Sequence, residues 1–150
     1  LISYEGVDFS PINIDRSRIR GVELSSGWQG EALSVNLAMT WQDPEDRDTG
    51  EQLKRRAQRF ARLDADYAFD DWSFGATLRG SASRSDTDAD TYTDTRTAGY
   101  GVVDLRTSWQ VMPNVKLSAK LDNVFDREYQ LVNGYNTQGR YVEGGVTFFF

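Results

Sequence analysis

Cysteine and histidine are both missing from this chain of 150 residues. Without cysteine there is no disulfide framework and no thiolate metal site. Without histidine the commonest metal ligand and a frequent general base are gone, so any catalysis would have to rest on carboxylates, hydroxyls or lysine. Long apolar runs are missing as well. The longest lie near Leu121–Phe125 and Val146–Phe150, far short of the roughly 20 residues a membrane helix needs. The mean hydropathy of -0.59 reads as soluble, but a barrel strand alternates between lipid and lumen and averages out to neutral hydropathy. Helical spans are therefore excluded and barrel spans are not. The formal net charge of -6 argues against a nucleic-acid binder. Leu1-Ile2-Ser3-Tyr4 lacks the charged region and apolar core of a signal peptide, and with no initiator Met the chain reads as a piece of something longer.

What is present is alternation. Leu33, Val35, Leu37, Met39 and Trp41 alternate with Ser34, Asn36, Ala38 and Thr40. The same period of two runs through Trp72–Leu78, Val103–Trp109 and Val115–Leu121, giving strands with one apolar and one polar face. A helix-like window at 51–63 passes into strand periodicity at Ala61, Leu63, Ala65, Tyr67 and Phe69, and we place a strand from about Arg55. The expected strands are the end of one at 1–5, then 13–27, 31–42, 55–69, 72–83, 99–110, 114–125 and 139–150. Most are about twice the usual 5–6 residues, the length that crosses a bilayer at a tilt of about 45°. Tight turns at 27–31, 69–72 and 110–114 alternate with polar loops at 43–54, 84–98 and 126–138, with another at 6–12. Short turns on one rim and long loops on the other are the periplasmic and extracellular sides of an outer-membrane barrel. Trp28, Trp72 and Trp109, with Tyr67 and Phe69, sit by the short turns, and Trp41 and Tyr100 lie at the opposite strand ends. Aromatics at both ends form the expected interfacial girdles.

The final strand carries Glu143, Gly145, Phe148 and Phe150. A polar residue, a glycine two later and alternating aromatics at the end resemble the recognition signal of the bacterial barrel-assembly machinery. Three further segments carry a family resemblance. Ile14-Asp15-Arg16-Ser17-Arg18-Ile19-Arg20-Gly21-Val22-Glu23-Leu24 contains an Ile-x-Gly-Val-Glu core. Leu121-Asp122-Asn123-Val124-Phe125-Asp126-Arg127-Glu128-Tyr129 is similar to an Asn-Leu-Phe-Asp-Lys-x-Tyr element. Gly134-Tyr135-Asn136-Thr137-Gln138-Gly139-Arg140 is similar to a Gly-Arg element opening the last strand. Their order resembles the C-terminal barrel region of TonB-dependent outer-membrane receptors. Within that family, Asp43-Pro44-Glu45-Asp46, Lys54-Arg55-Arg56-Ala57 and Tyr135–Arg140 resemble cobalamin transporters, with Ala57 and Gln138 where relatives have Pro. Siderophore receptors share part of the pattern.

The resemblance implies an all-β antiparallel transmembrane barrel segment, about seven to eight strands of a larger plugged barrel spanning 1–150, with the plug domain outside this chain. It implies a non-enzymatic importer in the outer membrane of a Gram-negative bacterium, carrying cobalamin or a siderophore. Its partners would be TonB, acting through a TonB box near the N-terminus of the full protein, the plug, the barrel-assembly machinery, and lipid with lipopolysaccharide. No cofactor, resident metal or nucleic acid is expected. A self-contained structural barrel and a soluble β-sandwich lectin or hydrolase are the rival readings. Tyr92, Tyr135 and Asn136 are the candidate substrate contacts, because aromatic and amide groups suit a large corrinoid.

Other clusters are weighed against plainer readings. Asp86-Thr87-Asp88-Ala89-Asp90 opens like a calcium loop, but Thr91 and Thr97 stand where Gly and a bidentate Glu are needed; a solvated loop is expected, and calcium held between loops, with Asp43, Glu45, Asp46 and Asp48 on the same rim, is the alternative. Asp64 and Asp66 share a polar strand face while Asp70 and Asp71 occupy a turn, which suits lumen lining better than glycoside chemistry. Asp104, Arg106, Lys120 and Asp122 are expected on one lumen face, pairing among themselves or with a plug. Arg140 is expected near a carboxylate such as Asp126. Arg16, Arg18 and Arg20 form a basic stripe facing the lumen or lipopolysaccharide, according to height.

Overall fold

A computed structural model describes residues 2–5, 10–13, 16–88 and 90–150, with side chains from 16 onward. Strands β1 (Ile2–Glu5) and β2 (Ser10–Asn13) form a separate hairpin. There follow β3 (Ser17–Gln29), β4 (Leu33–Asp46), β5 (Arg59–Phe69) and β6 (Trp72–Ser81). A loop hairpin comes next, β7 (Arg84–Thr87) with β8 (Asp94–Thr97), and then β9 (Tyr100–Met112) and β10 (Val115–Asp122). A small hairpin of β11 (Gln130–Val132) and β12 (Tyr135–Asn136) precedes β13 (Tyr141–Phe148). Seven strands make one antiparallel sheet ordered β13-β10-β9-β6-β5-β4-β3. Apart from the inserted hairpins this is an up-and-down meander, and no helix occurs among the described residues.

Register sorts the side chains onto two faces. Leu37, Leu63, Leu78 and Val103 form one apolar row, and Val35, Ala65, Ala76, Leu105, Leu121 and Val142 another. Asn36, Asp64, Thr77 and Asp104 form a row on the opposite, polar face. Among the described residues no protein layer covers the apolar face: Phe69, Phe74, Leu105 and Val146 remain exposed, while the buried apolar residues Leu53, Ala57 and Val102 lie at the loop end. An exposed apolar sheet face of this extent is a lipid-facing surface. The 11 residues of β5 rise about 26 Å at a 45° tilt, matching the apolar band of about 25 Å in outer-membrane barrels.

The short-turn girdle takes the expected form. Trp28, Tyr67, Phe69, Trp72 and Trp109 share the apolar face, and the rings of Trp72 and Trp109 stack at 5.0 Å. Trp41 lies on that face at the other end, paired with Val22 and Arg59. Tyr100 departs from expectation. Its register partner is Ser81 on the polar face, and its ring lies 4.3 Å from that of Tyr129, so it packs under the loops and not in the girdle.

Several boundaries also move. The strand expected from Arg55 begins at Arg59. Arg55 has φ 61° and donates its N–H to Ser85 O, while Leu53 donates to Pro44 O; these bonds hold 53–57 as a compact segment at the rim. The expected strand 114–125 stops at Asp122, because Asn123 adopts φ 50°. The strand expected at 13–27 runs as Ser17–Gln29; Ile14 and Asp15 lie outside the described residues. The strand end expected at 1–5 belongs to the β1–β2 hairpin and does not pair with the main sheet.

Candidate functional site

The polar face is an interlocked charge ladder. Arg106 donates to Asp66 Oδ1 from Nη2 at 2.6 Å and to Thr77 Oγ1 from Nη1 at 2.8 Å. Thr77 in turn donates to Asp64 Oδ1 at 2.6 Å, and Arg62 grips the same carboxylate with two bonds. Arg79 pairs with Asp104 at 2.8 Å and Lys120 with Asp122 at 2.7 Å. The guanidinium of Arg106 lies so close over Gly75 that a Cβ there would collide with it. Gly145 is similar: a Cβ would stand 2.8 Å from Ser118 Oγ. Asp64 and Asp66 are thus both held by arginine, as a lumen lining requires, and their geometry offers no free pair of carboxyls.

Two of the sequence motifs resolve into backbone carpentry. Asn123 receives Arg127 N–H on Oδ1 at 2.8 Å, donates Nδ2 to Arg127 O, and donates its own N–H to Asp104 Oδ1. This closes the turn that ends β10. Asp126 Oδ1 then accepts the Arg140 N–H at 2.7 Å. Residues 126 and 140 do meet, but through the Arg140 main chain, not through its guanidinium.

Above the sheet, three loop segments converge on Asp86. Its side chain is 0% exposed and accepts four hydrogen bonds: Arg55 Nε at 2.9 Å, Thr97 Oγ1, Thr87 N–H and Asn133 N–H each at 2.8 Å. Burial pushes its pKa up, but the bonds from Asn133, Arg55, Thr87 and Thr97 together outweigh that and hold the carboxyl below its ordinary value. Asp88 shapes the tip of the β7–β8 hairpin, accepting from the Thr91 N–H and hydroxyl and from the Asp90 N–H; these hold its pKa down too. The first two aspartates of the calcium-like series are therefore occupied by protein donors. Sequence reasoning missed the role of Asp86, and no local signal marks it, since apart from the adjacent Thr87 its partners lie 11 to 47 residues away. It also missed Arg84, which is buried with its guanidinium 5.8 Å over the Tyr100 ring.

Between these loops lies an open cavity of about 620 Å³, lined by Arg55, Thr87, Asp88, Tyr92, Leu131, Val132, Asn133, Tyr135, Asn136 and Thr137. All three candidate contacts, Tyr92, Tyr135 and Asn136, line it. Tyr92 sits at the hairpin tip with φ 57°. Tyr135 is 70% exposed, and Asn136 Oδ1 accepts from Gln130 Nε2 at 2.9 Å. A volume of this size falls within the range of small-molecule sites, and it joins apolar walls to a few polar groups. The residues of the assembly-signal pattern lie elsewhere. Glu143 and Gly145 face the polar side opposite Lys120 and Ser118, Phe148 faces the apolar side opposite Val115, and Phe150 follows the end of β13.

The family model described as TonB dependent receptor-like, beta-barrel matches residues 1–124. The chain belongs to this family. It is therefore a segment of a Gram-negative outer-membrane receptor barrel, of a family of transporters and not of enzymes. It is 27% identical over 143 residues to the vitamin B12 transporter BtuB of Photobacterium profundum, covering 95% of this chain and 23% of that protein. The structure of the copper transporter OprC matches with TM-score 0.77 and 26% identity, over 98% of this chain and 27% of that one. The ferric-catecholate import receptor Fiu from K12 E. coli shares the fold, with TM-score 0.76 at 24% identity, over 99% of this chain and 23% of that one. The chain thus spans about a quarter of the length of these relatives.

Proposed function

We propose that this segment is part of a receptor that imports a scarce nutrient across the outer membrane, driven through TonB, and that its cargo is cobalamin. The observation that carries the reading is the loop cavity, where Tyr92, Tyr135 and Asn136 meet beside Leu131 and Val132. Stacking surfaces, amides and apolar walls suit a large, mostly neutral ligand with amide side chains. The cobalamin transporter among its relatives supports the same cargo. The plug and the segment that contacts TonB would be supplied by parts of the protein outside these 150 residues.

Arg55 on the cavity wall gives a second reading some weight, since a guanidinium favours an anionic ferric siderophore. The two are separated by titrating the full-length receptor in detergent with cyanocobalamin and, separately, with a ferric catecholate. Cobalamin import predicts saturable binding of the first, weakened by Tyr92→Ala and Tyr135→Ala. Binding of the ferric complex alone, abolished by Arg55→Gln, would replace cobalamin by a siderophore.

A further inference from the structure

Strand β7 buries two charges on one face, and only one of them is paired. Burial alternates along the strand, with Arg84 and Asp86 buried and Ser85 and Thr87 less so. Asp86 takes Arg55 as its cation. Arg84 is 8% exposed, and its Nε and Nη2 find no hydrogen-bond partner among the described residues. Its guanidinium rests over the Tyr100 ring, which offsets part of its lost hydration but gives its N–H groups no acceptor. Arginine is not deprotonated in proteins, so burial leaves Arg84 charged. Packing alone would be better served by an apolar side chain.

The hairpin geometry directs Arg84 to Asp86. Alternate residues on one strand face stand about 6.7 Å apart, a gap that an arginine side chain spans. Thr97 lies directly opposite Arg84 in the hairpin, and its hydroxyl already donates to Asp86 Oδ2 at 2.8 Å. The partner that Asp86 now holds is the more exposed arginine. Arg55 keeps 46% of its side chain in solvent, bonds to Asp86 through Nε at 2.9 Å, and lines the loop cavity. An acceptor entering that cavity competes with Asp86 for the same guanidinium.

We propose that Arg84 is a standby partner for Asp86: cargo in the loop cavity draws Arg55 away, and Arg84 swings from Tyr100 to take its place. The inference rests on the reading of that cavity as the cargo site. After the exchange Asp86 still has a cation, and Thr97, Thr87 and Asn133 go on donating to it. The β7–β8 hairpin therefore stays joined to the β11–β12 hairpin while Arg55 faces the cargo. Without a reserve, engaging Arg55 would strip a buried carboxylate of its cation and loosen the loops that form the site. Arg84 does not line the cavity, so it is a positioning residue.

The test uses the full-length receptor in detergent, with hydrogen exchange in 84–97 and 130–136 as the readout. Without cargo, Arg55→Gln alone and Arg84→Gln alone should each quicken exchange less than about three-fold, because either arginine serves Asp86. The double variant should quicken it about thirty-fold, since a buried carboxylate then keeps only neutral donors. Arg55→Gln with Arg84→Lys should recover most of the protection, because an ammonium can still meet Asp86. With cargo, whichever of cyanocobalamin and the ferric catecholate binds, Arg84→Gln should weaken affinity about ten-fold. If Arg55→Gln alone loosens the loops as much as the double variant, Arg84 does not step in and the proposal is overturned. An Arg84→Gln effect as large as the double variant's without cargo would make Arg84 a plain packing residue, and unchanged affinity in Arg84→Gln would remove the exchange on binding. If neither cargo binds the unaltered receptor, the cavity reading fails, while the cargo-free arms still decide whether Arg84 replaces Arg55. The affinity arm needs only one single variant and decides the question even if the double variant folds poorly.

Discussion

Replacing Asp86 by alanine should detach the loops from one another while leaving the barrel strands intact. The substitution strands the Arg55 guanidinium, the Thr97 hydroxyl and the N–H groups of Thr87 and Asn133. Summing four charge-assisted bonds at about 1.5–3 kcal/mol each overshoots, because bonds to one carboxylate are not independent. Removing one partner of a buried ion pair costs roughly 3–5 kcal/mol. Arg55 keeps 46% of its side chain exposed, so water takes up part of its charge and the low end applies. A loss of about 3 kcal/mol raises the open population of the loop cluster roughly 150-fold. Hydrogen exchange in the full-length receptor should therefore quicken in 84–97 and 130–136, with exchange in β5, β6 and β9 unchanged as the internal reference. Asp86→Asn keeps one acceptor oxygen and should fall between. Affinity for the proposed cargo should drop with loop opening, because Arg55, Thr87 and Asn133 all line the cavity. Because folding lowers the Asp86 pKa, its contribution is complete above the unfolded value of about 4 and fades as pH falls through the folded one. The cluster should hold at pH 5 and loosen only in stronger acid. Unchanged exchange in both hairpins of the alanine variant would show that the loops stand without Asp86.

Two further outcomes follow from the sheet. Arginine at Leu37, Leu105 or Leu117, all on the apolar face, should cost about 2–4 kcal/mol at mid-membrane, and arginine at Asn36 or Ser118 much less, measured by denaturant titration of the full-length protein in lipid. Asp104 is not a neutral control for the polar face, since losing it also strands Arg79 and the Asn123 N–H. The isolated chain, whose outer strands β3 and β13 each pair on one side only among the described residues, should associate through those edges. A monodisperse monomer in size-exclusion chromatography would contradict this.

How far the sequence could be read follows from where its regularities come from. Lipid on one side and lumen on the other impose a strict period of two, so Leu37, Leu105 and Leu117 could be assigned to a face before any register was known. The rim obeys no such constraint. The window at 51–63 looks helical by composition, yet Leu53 and Ala57 are buried, the Leu53 main chain bonds to Pro44 of β4, and Arg55, in a left-handed turn, bonds to Ser85 of β7. Asp86 looked like one acid in a repeat, and only three-dimensional closure makes it the centre of the loops. Tyr100 could not be told from a girdle residue, because one residue of register decides which face it takes. Tyr92 and Tyr135 stand out in the sequence by their chemistry alone, and their meeting in one cavity depends on the hairpins that carry them.

The terminal aromatics give the last expectation its force. Phe148 lies on the apolar face opposite Val115, but Phe150 extends beyond β13 and its side chain is fully exposed within this chain. The last strand is held there by its main chain, with Phe149 donating to Asn114 O at 3.0 Å. Burying Phe150 in lipid would contribute at most about 2–3 kcal/mol, too little to decide the folding of a large barrel. If Phe150 matters strongly in cells, it must act on the rate or fidelity of assembly, as the pattern Glu143, Gly145, Phe148 and Phe150 leads us to propose. Deleting Phe150 from the full-length receptor should then sharply lower its amount in the outer membrane, while refolding of the same variant into detergent stays near normal. Phe149→Ala, whose side chain falls outside the alternating pattern, should leave both unchanged. If the Phe150 deletion depresses cellular level and refolding in step, the residue is an ordinary packing group and the signal reading falls.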